Sequence, residues 1–213
     1  MKKFWLIVSS IVFAANLMAQ SAKEALLADE ITWYGIDYSQ VKLIGDFYQV
    51  GEAGGKSESE IRDKYFPAWN QLFITEAKKY DVASAFRKKN VHYFLDVVDK
   101  RNQQTSTAKL VSLSDNDRNH LNEEKVASII AEYPVGEQKG NGLVFIAESL
   151  DKPRETGSYY VVLFDIATKK VLLSKRLSGR AGGFGIRNYW AKSYYDVLLQ
   201  SKDNFKKWLK ENN

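Results

Sequence analysis

Two stretches of this chain are apolar on both of their faces, and the interior of a sheet covered from two sides is the natural place for them. Between positions 159 and 164, Tyr159, Val161 and Leu163 point one way while Tyr160, Val162 and Phe164 point the other. A strand with one wet face alternates, so a run without alternation reads as a central strand. Residues 142–150 have the same character. A turn at 165–170 and a return strand of Val171, Leu172 and Leu173 complete a predicted antiparallel meander. Beyond it, Trp190, Tyr194, Val197, Leu198, Phe205, Trp208 and Leu209 recur at spacings of three and four. That stripe predicts one long amphipathic helix laid across the sheet.

The preceding chain supplies the rest of the layers. Residues 31–36, aromatic and β-branched, predict a first strand, and 91–98, with Val91, Tyr93, Leu95 and Val97 alternating, predict a second. Between them, Ser57 and Glu60 form a capping box for a short helix that stops before Pro67. Pro67 opens a new helix whose inward face carries Trp69, Leu72, Phe73, Ala77 and Tyr80, and Asp81 caps a further turn. Residues 101–107 read as a polar loop and 109–113 as a short edge strand, while Asn122 caps a helix that buries Val126, Ile129 and Ile130. This order predicts a single-domain α/β (or α+β) fold. Its mixed sheet has about five strands, ends in an antiparallel meander and is packed by helices, the C-terminal one being the longest.

The first residues predict where the protein works. Lys2 and Lys3 precede an apolar run over 4–15 and a small residue, Ala19, the pattern of a secretory signal peptide cleaved after Ala19. Ser9, Ser10 and Asn16 interrupt the run, which argues against a membrane anchor. Cleavage would lower the formal net charge from +5 to +3 by removing two lysines. The remaining residues, 20–213, suffice for one domain with its own core. Without cysteine the chain has no disulfide, thiolate metal site or thiol nucleophile, so packing alone must hold it together.

Four features could carry chemistry. A glycine-rich turn over 178–188 directly precedes the long helix, where exposed amides could meet an anion or ligand beside Arg180, Gly182, Gly183, Gly185, Arg187 and Asn188. It lacks the lysine and serine or threonine of a phosphate loop, and a tight turn alone also explains its glycines. Asp37, Asp96, Asp99 and Glu148 lie at or on predicted strands, and Asp37 with Asp99 could face one crevice as an acid and base pair. Acids also end strands for turn-forming reasons alone. His92 and His120 form no recognisable zinc motif, Asp115, Asp117 and Asn119 lack the glycine and glutamate of a calcium loop, and no cofactor loop is present. Finally, eleven Lys and Arg beyond position 168, together with Tyr38, Tyr48 and Tyr65, could form a basic or aromatic contact surface. Nucleic acid is not an expected partner for an exported chain without a binding motif.

The series Ile36, Asp37, Tyr38, Ser39 with Ile44 and Gly45, then Trp69 and Asn70 with Lys79, Tyr80 and Asp81, then Gly183, Phe184, Gly185, Ile186, Arg187, Asn188, Tyr189 and Trp190 resembles a group of small exported proteins from Bacteroidetes. That resemblance implies export and a single domain, and it brings no assigned activity. The combined expectation is a non-enzymatic periplasmic or outer-membrane-associated binding protein. It would contact an envelope protein or glycan through the glycine-rich turn, with no metal, no cofactor and no membrane span after cleavage. The alternatives are a hydrolase or metal enzyme built on Asp37 and Asp99, and a homo-oligomeric structural protein.

Overall fold

The computed structural model describes residues 20–48 and 55–212. The predicted signal peptide at 1–19 lies outside the described residues, and so do Gly51 and Gly54, which with Gly55 mark a loop in the sequence. In chain order the elements are α1 (Ala22–Leu27), β1 (Glu30–Asp37), β2 (Lys42–Ile44), α2 (Glu58–Glu60), a π-helical turn (Ile61–Tyr65), α3 (Phe66–Thr75), α4 (Val82–Phe86), β3 (Asn90–Tyr93) and α5 (Asp96–Gln103). They continue as β4 (Val111–Ser112), α6 (Glu123–Ala131), β5 (Asn141–Asp151), β6 (Thr156–Asp165), β7 (Val171–Arg180) and α7 (Gly185–Glu211). None of the described helices is long and apolar enough to cross a membrane.

The seven described strands form one mixed sheet, two more than the five predicted. β5 is its axis and is buried along its whole length. On one side it pairs antiparallel with β6, which pairs antiparallel with β7. On the other side β1 runs parallel to its first half and β2 to its last residues. β3 extends β1 and β4 extends β2, both in parallel.

The doubly apolar strands are covered on two sides, as their pattern requires. Tyr159, Val161 and Leu163 join a core closed by α1, α3, α4 and α7. Tyr160, Val162 and Phe164 join a second core under α5 and α6. A bulge in β5 at Glu148 changes the register between Ala147 and Ser149. It returns Leu150 to the first core although Val144 and Ile146 serve the second.

Helix α7 reaches the sheet through a notch of two facing glycines. Gly157 and Gly179 stand opposite each other on β6 and β7. A Cβ on Gly179 would lie 1.9 Å from the Ser193 carbonyl oxygen, and one on Gly157 would lie 2.5 Å from Ser193 Oγ. Ser193 is fully buried, and its hydroxyl bonds Trp190 O and Tyr159 OH, each at 2.7 Å. Gly179 therefore belongs to strand packing, not to the turn in which its sequence context placed it.

Two further expectations change. The strand predicted over 91–98 ends at Tyr93, and Asp96 and Asp99 lie in α5 instead of on a strand. β3 is an exposed edge with few apolar contacts, whereas Val97, Val98 and Asn102 are buried at helical spacing. Asp96 and Asp99 fill the first turn of α5 and Lys100 and Arg101 the last, the arrangement the helix dipole favours. The break predicted before Pro67 is a π-helical turn, in which Phe66 N donates to Ile61 O. The widened turn passes the proline, which has no N–H to give, without ending the helical path.

Candidate functional site

β1 outlasts its neighbour. β3 pairs with it only as far as Trp33, so the backbone at Ile36 and Tyr38 would lack partners on that edge. Two buried asparagines replace the missing strand. Asn70 of α3 accepts from Ile36 N at 2.7 Å and donates to Ile36 O at 3.2 Å. Asn102 of α5 donates to the same carbonyl at 3.0 Å and accepts from Tyr38 N at 2.6 Å. Gly35 makes room for this contact. Its φ is +96°, and a Cβ there would stand 2.9 Å from Asn70 Oδ1.

Asp37 follows, with its side chain fully buried. Arg101 Nε donates to Oδ2 at 3.0 Å and Tyr133 OH to the same oxygen at 2.8 Å, while Ser39 N donates to Oδ1 at 2.8 Å. The Arg101 guanidinium lies 5.2 Å from the centre of the Tyr133 ring and also reaches Glu132 at 3.3 Å. Burial works against the charge on Arg101, but Asp37 above all the other groups holds its pKa above the ordinary arginine value. Burial and then the Asp37 charge push the Tyr133 phenol well above its usual range. This is a neutralised, hydrogen-bonded ion pair that ties α5 and the end of α6 to β1.

Asp99 lies at the same end of β1 but in a different network. Asn70 Nδ2 donates to its Oδ1 at 3.1 Å, and burial raises its pKa while the Asn70 bond opposes the rise. Glu148 is fully buried on β5 and accepts from Arg176 Nε at 2.6 Å and from Leu121 N at 2.9 Å. His120 Nε2 lies 3.1 Å from Glu148 O, and exposed His92 lies 3.7 Å from Glu30 on the edge strand. Arg118 pairs with both Asp115 and Asp151, so the Asp115–Asn119 segment is pinned to the sheet as a 3₁₀ turn.

Beside the Asp37 cluster, a cavity of about 360 Å³ opens between residues 39–42, the end of α5 and residues 105–109. Its lining includes Ser39, Lys42, Arg101, Gln104, Ser106 and Lys109. The sequence reading passed over these residues. Arg101 had a signal in the charge order of α5, whereas Lys42, between Val41 and Leu43, and Lys109, between Ala108 and Leu110, are lone lysines in short apolar stretches and had none.

The glycine-rich turn is elsewhere. Ser178, Gly179 and Arg180 belong to β7, which leaves residues 181–184 as the turn. Gly183 and Gly185 hold left-handed φ values of +106° and +77°, the conformation glycine adopts without strain. Gly182 N donates to Tyr189 O at 2.9 Å, and Asn188 Nδ2 donates to Phe184 O at 3.3 Å. Arg187 pairs with Glu76 at 3.3 Å, and its carbonyl accepts from Trp69 Nε1 at 2.9 Å. Arg180 N donates to Asp196 at 3.1 Å. Arg187 and Asn188 are thus turned to intramolecular bonds, while the Phe184 side chain is 85% exposed. Of the three tyrosines considered for a surface, Tyr38 and Tyr65 are buried and Tyr48 is exposed. Tyr38 stacks on Phe66 with ring centres 4.4 Å apart, because the pairing of β1 with β5 shifts register between Trp33 and Ile36, around Gly35, and so turns Tyr38 into the first core.

No protein family, curated protein or solved structure matches the chain.

Proposed function

We propose that this chain is a non-enzymatic binding or accessory protein of the periplasm or outer-membrane surface, and that the glycine-rich turn is its contact with an envelope protein. The observation that carries the reading is Phe184, 85% exposed at the tip of a turn fixed from both sides. A large apolar side chain on a pre-ordered backbone loses little freedom on association, which is the character of interface anchors. Arg180 and Arg187 on either side would form a polar rim. A protein surface suits this projecting ring better than a glycan, which needs several convergent polar groups around an aromatic platform. The carboxylate reading is less favoured, since Asp37 would have to leave Arg101, Tyr133 and Ser39 before it could act on a substrate.

The test is photocrosslinking in the native envelope, with a benzophenone side chain placed at position 184 or at position 113. Leu113 is 83% exposed and serves as the matched control. A discrete adduct from 184 that is absent from 113 supports the contact, and equal labelling or none overturns it. Amino-terminal sequencing of the same purified protein tests cleavage after Ala19.

A further inference from the structure

The cavity at the end of β1 is a second place to look for function, and it shares no residue with the glycine-rich turn. Three cations, Lys42, Arg101 and Lys109, line it together with hydroxyl and carboxamide side chains, and among the described residues no carboxylate does. The two acids that touch Arg101 lie outside that lining and occupy Nε and Nη1, while Nη2 is left with one long 3.4 Å contact to Ser39 Oγ. Lys42 Nζ donates to Lys109 O at 2.6 Å, which holds one ammonium against the segment that carries the other. Thr105 also lines the cavity. Its Oγ1 is buried and has no hydrogen-bond partner among the described residues. A cleft lined by one sign of charge concentrates counter-ions. Convergent lysine, guanidinium and hydroxyl donors are the groups that coordinate a tetrahedral oxyanion.

We infer that this cavity binds a compact tetrahedral oxyanion, phosphate or sulfate, free or as the monoester of a small polar molecule. A volume of about 360 Å³ is at the low end for small-molecule sites and leaves room for the anion and a substituent of about sugar size. The mixed polar lining favours a hydrophilic substituent over a lipid chain. Lys42 and Lys109 would supply the charge that selects the anion. Arg101, already held by Asp37, would offer a fixed donor at the back.

The experiment is isothermal titration of residues 20–213, the chain as it would stand after cleavage, with inorganic phosphate, sulfate and glucose 6-phosphate in turn. Sodium chloride at matched ionic strength is the control. Wild type is compared with Lys42→Gln/Lys109→Gln, because a change at Arg101 would also disturb the Asp37 pair. Saturable binding of at least one oxyanion, weakened at least tenfold in the double variant with an unchanged circular dichroism spectrum, supports the site. Tighter binding of glucose 6-phosphate than of phosphate assigns the esterified form, and the reverse order the free ion. No saturable binding by any of the three at 20 mM, or equal binding by wild type and variant, overturns the proposal. If the double variant loses its native spectrum, the single variants Lys42→Gln and Lys109→Gln are compared instead, and unchanged affinity in both has the same overturning force. Phe184 enters none of these measurements, so failure here and failure of the crosslinking contact are separate results.

Discussion

Asp37 is the residue whose removal discriminates best between a structural and a catalytic carboxylate. Its side chain is fully buried and accepts three hydrogen bonds, two of them on the oxygen shared by Arg101 and Tyr133. Removing one partner of a buried ion pair leaves the other charge uncompensated and costs about 3–5 kcal/mol. Glu132, though 67% exposed, still touches Arg101 in Asp37→Asn and offsets part of the stranded charge, so the loss should lie at the low end, about 3 kcal/mol. A chain of this size loses about 2–4 °C in Tm per kcal/mol, so calorimetry should record a fall of about 6–12 °C. Arg101→Met alone should cost as much, because it strands the carboxylate. In the double variant neither charge is left unpaired, so the two losses should fall short of adding by about 2 kcal/mol. Urea unfolding of the four proteins gives that coupling directly. If Asp37→Asn stays within about 0.5 kcal/mol of wild type, the pair contributes no net stability and the structural account of Asp37 fails.

The other perturbations follow from packing and capping. Gly179→Ala should destabilise by about 3 kcal/mol or more, since its Cβ would fall 1.9 Å from the Ser193 carbonyl oxygen. Gly183→Ala should cost only about 1 kcal/mol, from its left-handed backbone, as its nearest neighbour is 3.8 Å away. Urea midpoints compare the two, and similar losses would mean that α7 does not seat on that notch. Lys88 is 7% exposed and donates to Ala25 O, Leu26 O and Ala28 O at 2.7–2.9 Å, closing the end of α1. Lys88→Met should cost about 2 kcal/mol, the worth of bonds to a charged donor less the cost of burying it. Burial lowers its pKa to about 8, with Asp29 opposing. Because the unfolded chain holds this proton up to about pH 10.4, the difference in stability between wild type and Lys88→Met should grow from pH 8 towards 10 and be flat below 8. A flat difference across that range, followed by chemical denaturation, would place the folded pKa near the unfolded one.

What was legible in the sequence was legible through periodicity. The opposite-facing triplets of residues 159–164 found their two cores because a period of two leaves one arrangement once both sides are apolar. Asn122, Ser57 and Asp81 were readable as caps, since each needs only its own side chain and an amide two or three residues on. Residues 91–98 misled because Val91, Tyr93, Leu95 and Val97 alternate as a strand would, while Val97, Val98 and Asn102 fit one face of a helix equally well. The charge order from Asp96 to Arg101 broke the tie, and periodicity alone does not use it.

The two places where function is proposed escaped the sequence for different physical reasons. The turn was visible as glycine, but what it presents depends on which neighbours compete for Arg187 and Asn188. Glu76 and the Phe184 carbonyl are 111 and 4 residues from them, respectively, and only folding puts both within reach. The cavity had no signature because its charge is assembled from Lys42 of β2, Arg101 at the end of α5 and Lys109 of a 3₁₀ turn, which only the fold brings to one place. Its existence follows from the early end of β3. Once that strand stops at Tyr93, the carboxyl end of β1 keeps β5 on one edge and has only Asn70 and Asn102 on the other, and residues 39–42 and 104–109 border the cavity. Fixing Ile36 and Tyr38 with side chains instead of a strand keeps the edge satisfied while leaving space beside it. A further strand would fill that space. The same substitution that keeps this sheet intact is thus what opens a site, and Asn70 and Asn102 are as much its architects as the lysines that line it.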